Sequence, residues 1–297
     1  MKFNIDFYSY RNVAYIFSAI LLISSVSLFL FKNLNLGIDF KGGIMIEAKF
    51  NNPPNLTELR NKIANLSIGN SEIQEFGDPT NILIRIEKQS NDDVNQKEII
   101  KKLKDSLSQD IDDRRTEFVG PKVGKELTIM GIKAISFSLL AMFAYIWFRF
   151  SGWQFGLGAL IALFHDVIST IGFFSFSQIE FNLASIAAIL TIAGYSINDT
   201  VVVFDRVREN LIKTTKDTEV NFSKLLNVSI NQTLSRTIMT SLTTLLALLA
   251  LYIFGGEVVR GFVSAMIWGV LIGTYSSIFI ASPLIIIFGF KQENSNK

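Results

Sequence analysis

Asp199 is the residue with the most chemistry open to it, because it lies inside the apolar run Phe181–Phe204, in the segment Gly194-Tyr195-Ser196-Ile197-Asn198-Asp199-Thr200. An ionised carboxylate in hydrocarbon costs about 2.5 kcal/mol or more, so it must face protein or water and have a partner. Arg236 is the expected partner. It opens the next apolar run, in Asn231-Gln232-Thr233-Leu234-Ser235-Arg236-Thr237, and Thr233, Thr237, Thr240 or Ser241, and Thr244 follow at helical spacing as one polar stripe. Consecutive spans run antiparallel, and both charges fall toward the same half of the membrane. An ion pair between them is therefore expected.

Two readings of that pair are open. It is either a static ion pair that fixes helix register, or a switch in which proton uptake by Asp199 weakens its attraction to Arg236 and lets the helices repack. The hydroxyls and amides of Ser196, Asn198, Thr200, Ser235 and Thr240 favour the switch, since they could carry a chain of waters that a static pair does not need. His165 and Asp166, adjacent in the preceding apolar run, form a secondary candidate: they either join a relay or are a hydrogen-bonded pair at a helix interface.

Other chemistries find no support. The chain has no cysteine and one histidine, which excludes thiolate chemistry and a multi-histidine metal site. No Gly-x-x-x-x-Gly-Lys-Ser/Thr segment occurs, so direct use of ATP is disfavoured. No cofactor is expected beyond a proton as coupling ion. An intramembrane aspartyl protease would have to pair Asp166 with Asp199, but the Gly-x-Gly-Asp type of signature is absent and Arg236 would compete for Asp199. A net charge of only +2 gives no reason to expect nucleic acid.

The elements that must position these groups are membrane spans. Hydrophobic residues make up 49% of the 297-residue chain, more than a soluble domain of this size readily hides. Apolar runs near Val13–Phe31, Leu127–Phe148, Phe155–Phe176, Phe181–Phe204, Thr237–Phe254 and Phe262–Phe288 are each long enough to cross a bilayer core, which takes about 20 helical residues. The first run is too long for the apolar part of a secretory signal and is read as an anchor. The last should tilt or end early near Pro283. Lys2, Arg11, Arg149, Arg206, Arg208, Lys213, Lys216, Lys224 and Arg236 all fall on one side of this six-span arrangement, which places both termini in the cytoplasm. Within the sixth run Gly261, Ala265, Gly269, Gly273, Ser277 and Ala281 recur every four residues, a small-residue ridge on which another helix should dock, within this chain or from a partner.

The expected organisation is a cytoplasmic N-terminus and first span over residues 1–31, an extracytoplasmic domain over 32–126, the other five spans over 127–290, and a cytoplasmic tail over 291–297. Within the outer domain Gly43–Phe50, Ser71–Phe76, Asn81–Glu87 and Arg114–Val119 read as strands, and Leu56–Leu66 and Val94–Gln109 as helices. The order βαββαβ predicts a ferredoxin-like α+β domain attached to an α-helical polytopic membrane protein. That fold carries no function by itself, and a spacer or docking role is its simplest reading.

Three segments carry a family resemblance: Leu36-Gly37-Ile38-Asp39-Phe40-Lys41-Gly42-Gly43 after the first span, Gly194–Glu209 in the fourth, and Asn231–Thr237 leading into the fifth. In this order and topology they resemble the SecF family, the smaller membrane subunits of the bacterial SecDF export complex, within the resistance-nodulation-division transporter superfamily. The resemblance covers essentially the whole chain. It implies an inner-membrane subunit that pairs with a SecD-like partner, works with the Sec translocon channel on exported preproteins, and draws on the proton motive force. It also implies that Asp199 is the proton-binding carboxylate, Arg236 its counter-charge, and Asn198 and Thr200 supports. Gly37, Asp39, Gly42 and Gly43 would then mark a hinge or a tight turn at the start of the outer domain. A proton-coupled exporter of small molecules or lipids and a non-conducting assembly factor of the translocon are the alternatives.

Overall fold

The computed structural model describes residues 4–66, 68, 71–86, 93–107, 111–150, 152–214 and 221–288. The expected tail 291–297, the flanking Lys2 and Lys216, and the last residues of two expected outer elements, Glu87 and Gln109, lie outside the described residues. The chain forms two compact units, one of Met1–Asn35, Ala134–Ile179 and Ala184–Lys297, the other of Leu36–Lys133 and Glu180–Leu183.

The smaller unit holds four strands, β1 (Gly43–Phe50), β2 (Ser71–Phe76), β3 (Asp78–Ile86) and β4 (Ile111–Val119), in the antiparallel order β2-β3-β1-β4. This is the sheet order of a ferredoxin-like domain. The alternation of apolar residues sets its two faces. Ile44 opposes Ile86, Ile46 opposes Ile84 and Ala48 opposes Ile82, so one face of β1 and β3 is continuously apolar. Leu59 and Ile63 of one helix (Leu56–Ala64) and Leu103 and Leu107 of another (Asp93–Leu107) cover that face. Met45 and Leu83 point the other way and pack with Ile38.

The larger unit is a bundle of six helices long and apolar enough to cross a membrane. We label its helices α1 (Arg11–Lys32), α2 (Pro121–Phe150, which begins in the smaller unit), α3 (Trp153–Ser177), α4 (Leu183–Thr214), α5 (Phe222–Phe254), α6 (Glu257–Ser276) and α7 (Ser282–Ile287). The fifth span starts at Phe222 rather than Thr237, because a polar first stretch, including Asn227 and Asn231, continues the helix on the strength of packing by Leu225, Leu226, Ile230 and Leu234. Arg236 consequently sits roughly 20 Å along α5, at 1.5 Å per residue, rather than at its entry. The sixth span does not stop at Pro283. A π-helical turn, Ser277–Ala281, joins α6 to α7, and a wider turn at that point accommodates a proline that has no N–H to give the preceding turn.

The small-residue ridge of α6 is filled from within the chain. A Cβ on Gly269 would lie 2.2 Å from Ile192 of α4, and one on Gly273 would lie 3.0 Å from Cβ of Ser196. Small residues at these two positions let α4 and α6 approach closely enough for their polar groups to meet.

Candidate ion-coupling site

Asp166, near the middle of α3, is fully buried and fully engaged. Its Oδ2 accepts hydrogen bonds from the Ser196 hydroxyl of α4 at 2.6 Å and the Ser276 hydroxyl of α6 at 2.7 Å. Its Oδ1 lies 3.0 Å from Nδ1 of His165. Three helices thus converge on one carboxylate. Hydrogen bonds to a charged acceptor in a dry interior are the strong kind, and this set supplies what a buried carboxylate needs. Nearby, Ser169 accepts from the indole N–H of Trp268 on α6. His165 is 3% exposed, and its Nε2 has no hydrogen-bond partner.

Asp199 lies one turn beyond Ser196 on the same face of α4 and is 2% exposed. Its Oδ2 has no hydrogen-bond partner. The Thr274 hydroxyl of α6 lies within interaction range of its carboxyl, and the Arg236 charge also acts on it. Thr274 in turn shares a 2.7 Å hydrogen bond with Ser241 of α5, whose hydroxyl accepts from Tyr195 at 3.3 Å. Thr237 of α5 is buried with its hydroxyl unpartnered. The seam between α4, α5 and α6 is therefore polar around Asp199, and gives way about one turn further along to buried apolar residues that include Val203, Val207, Ile230 and Leu234.

The expected ion pair between Asp199 and Arg236 is corrected by this geometry. No salt bridge joins them among the described residues, and the Arg236 side chain is exposed on the bundle. On α5 the buried polar residues are Ser229, Thr233, Thr237 and Ser241, whereas Arg236 beside them is exposed. Ser196, expected to support Asp199, bonds Asp166 instead. Asn198 and Ser235 are exposed, Thr200 is buried, and the Thr240 hydroxyl donates to the Arg236 carbonyl of its own helix. His165 and Asp166, a secondary candidate from sequence, form a buried group that hydrogen bonds join to α4 and α6. Thr274 and Ser276 escaped notice in the sequence, although two hydroxyl residues this close together in an otherwise apolar span are a usable signal.

The glycine-rich segment sits in the smaller unit and clasps the loop before α4. The Asp39 carboxylate accepts from the Leu183 N–H at 2.9 Å, which satisfies one of the free donors at the start of α4. Gly37 N–H donates to the Phe181 carbonyl at 2.9 Å. A Cβ on Gly37 would collide with the Glu180 carboxylate at 2.3 Å. Glu180 is held by Arg85 of β3 in an ion pair. Gly42 and Gly43, with φ of 75° and 137°, make the turn into β1 that only glycine adopts without strain. Burial pushes the Glu180 carboxyl above the ordinary glutamate value, and the Arg85 charge opposes that rise.

Residues 99–291 match the family described as Protein export membrane protein SecD/SecF, C-terminal, and residues 27–54 match the SecD/SecF GG Motif. Protein translocase subunit SecF of Rickettsia felis is 46% identical over 99% of this chain and 94% of its own length. The chain belongs to the SecD/SecF family. Its counterpart in Rickettsia conorii, also a SecF subunit, is 47% identical over the same shares. In the solved structures, SecDF of Thermus thermophilus, described as a translocon-associated membrane protein, superposes with a TM-score of 0.83 at 34% identity. That match covers 97% of this SecF-type chain and 39% of the SecDF chain, so this chain spans well under half of that molecule. A second SecDF structure, in a form called super-membrane-facing, matches with a TM-score of 0.68 over the same shares. As a SecF-type chain it is a multi-pass subunit concerned with protein export, and the GG motif coincides with the segment that clasps the start of α4.

Proposed function

We propose that this chain pairs with a SecD-like subunit in a bacterial inner membrane, both termini in the cytoplasm, and couples proton movement to late steps of preprotein export through the Sec translocon. Asp199 binds the proton, and the exposed Arg236 charge acts on it through space rather than as a locked partner. The observation that carries this reading is a carboxylate 2% exposed inside an apolar span with one oxygen unpartnered. A charged carboxylate held away from water with an oxygen unpartnered is costly, and proton binding neutralises that charge. The 39% share of the SecDF chain supports a partner that supplies the remainder.

Asp199→Asn in membrane vesicles that carry the partner tests the reading. Export should lose its dependence on the proton gradient while the ATP-driven component persists. Unchanged gradient dependence would instead favour a non-conducting assembly factor. A small-molecule or lipid exporter is disfavoured by the single small outer domain and by the SecF relatives.

A further inference from the structure

The bundle contains a second titratable group that the Asp199 reading does not use. His165 is buried, its Nδ1 faces the Asp166 carboxylate at 3.0 Å, and its Nε2 has no partner. Asp166 Oδ2 already accepts from Ser196 and Ser276, so the carboxylate is fixed in place to orient the imidazole. An ionised neighbour at Nδ1 fixes the neutral tautomer with its proton on Nδ1 and leaves a bare lone pair on Nε2.

We propose that His165 Nε2 is a second intramembrane proton-binding site, with Asp166 as its fixed counter-charge, set on the outer side of Asp199 in one polar seam. On proton uptake one N–H bond forms at Nε2 and the imidazolium remains paired with the Asp166 carboxylate; release breaks the same bond and restores the neutral ring. The step needs no other reactant. The site meets Asp199 through α4, where Ser196, bonded to Asp166, and Asp199 are about 4.5 Å apart along the axis, and through α6, where Ser276 and Thr274 serve the two carboxylates. The other ionisable groups on the elements packed here include Tyr275 on α6, whose ring is 6.1 Å from that of His165 and whose hydroxyl meets Ser18 of α1, and Tyr15 on α1. These elements also carry Arg11 and Lys32 on α1, Tyr195, Asp199, Asp205, Arg206, Arg208, Glu209 and Lys213 on α4, Lys224, Arg236 and Tyr252 on α5, and Glu257 and Arg260 on α6. None of these places a second cation at the imidazole.

This inference rests on the proton-coupled reading but can fail separately. The chain has a single histidine, so histidine-selective ¹⁵N labelling of the full-length protein in lipid nanodiscs gives one imidazole to observe. We expect the Nδ1–H tautomer at alkaline pH, protonation of Nε2 as pH falls between about 9 and 4, and an altered midpoint in Asp166→Asn. An Nε2–H tautomer, no titration in that range, or a midpoint indifferent to Asp166→Asn in a folded variant would overturn the proposal. If Asp166→Asn does not fold, the tautomer and titration of the wild-type chain decide. His165→Gln should also lose the gradient dependence of export. If only Asp199→Asn loses it, the second site is wrong and the Asp199 reading stands; if only His165→Gln does, Asp199 is wrong and His165 is upheld.

Discussion

Ser196 of α4 donates to Asp166 of α3 at 2.6 Å, at the point where Gly273 of α6 leaves room for it. A hydroxyl expected to serve Asp199 thus ties three helices to a different carboxylate. Ser196→Ala removes one of two hydroxyl donors from a buried acceptor. A loss of about 1.5–3 kcal/mol is expected, the range for hydrogen bonds to charged groups, measured as a lower thermal midpoint of the purified full-length protein. An unchanged midpoint would mean that the carboxylate is not ionised there.

The close approach of α4 and α6 depends on Gly269. Gly269→Val drives a side chain into Ile192, whose atoms already lie 2.2 Å from an ideal Cβ. Overpacking of this kind costs about 1–3 kcal/mol. Ile192→Ala in the same chain should restore part of that loss, and a double-mutant cycle on thermal midpoints measures it. Purely additive effects would contradict the packing described.

Asp39 caps α4 from the glycine-rich segment. Asp39→Ala should cost about 0.5–2 kcal/mol, as loss of a helix cap does. Hydrogen exchange in the full-length protein should rise at the first amides of α4, beginning with Leu183, and remain unchanged in the middle of that helix. Equal exchange along the whole helix would assign Asp39 another role.

Glu180 gives a pH dependence of known sign. Its folded-state carboxyl titrates above the ordinary glutamate value because burial penalises its charge more than Arg85 rewards it. The stability it contributes is fully present below that value and is lost as pH rises through the raised one. Glu180→Gln, which keeps a neutral group at every pH, should flatten this part of the pH profile of the thermal midpoint. Arg85→Ala should steepen it.

The spans and the outer domain were legible in the sequence because their signals are local: runs of about 20 apolar residues, and short segments that alternate apolar and polar residues. Asp199 was legible for the same reason, as a charge where none is cheap. Its partner was not. How far along α5 Arg236 lies depends on where that helix begins, and the polar turns before Thr237 concealed fifteen residues of it; which side is buried depends on its packing against other helices. The Asp166 cluster draws its donors from positions 196 and 276, and no periodicity within one span predicts a meeting of three. The Glu180–Arg85 pair likewise joins residues 95 positions apart.

The central claim is that Asp199 is the carboxylate through which proton movement is coupled. Its most direct test is proton flux into vesicles reconstituted with this chain and its SecD-like partner, read by an internal pH dye under an imposed gradient, for the native protein and for Asp199→Asn. The account predicts that the native flux is lost in Asp199→Asn and is insensitive to replacing sodium by potassium. Equal flux in the two proteins would contradict it.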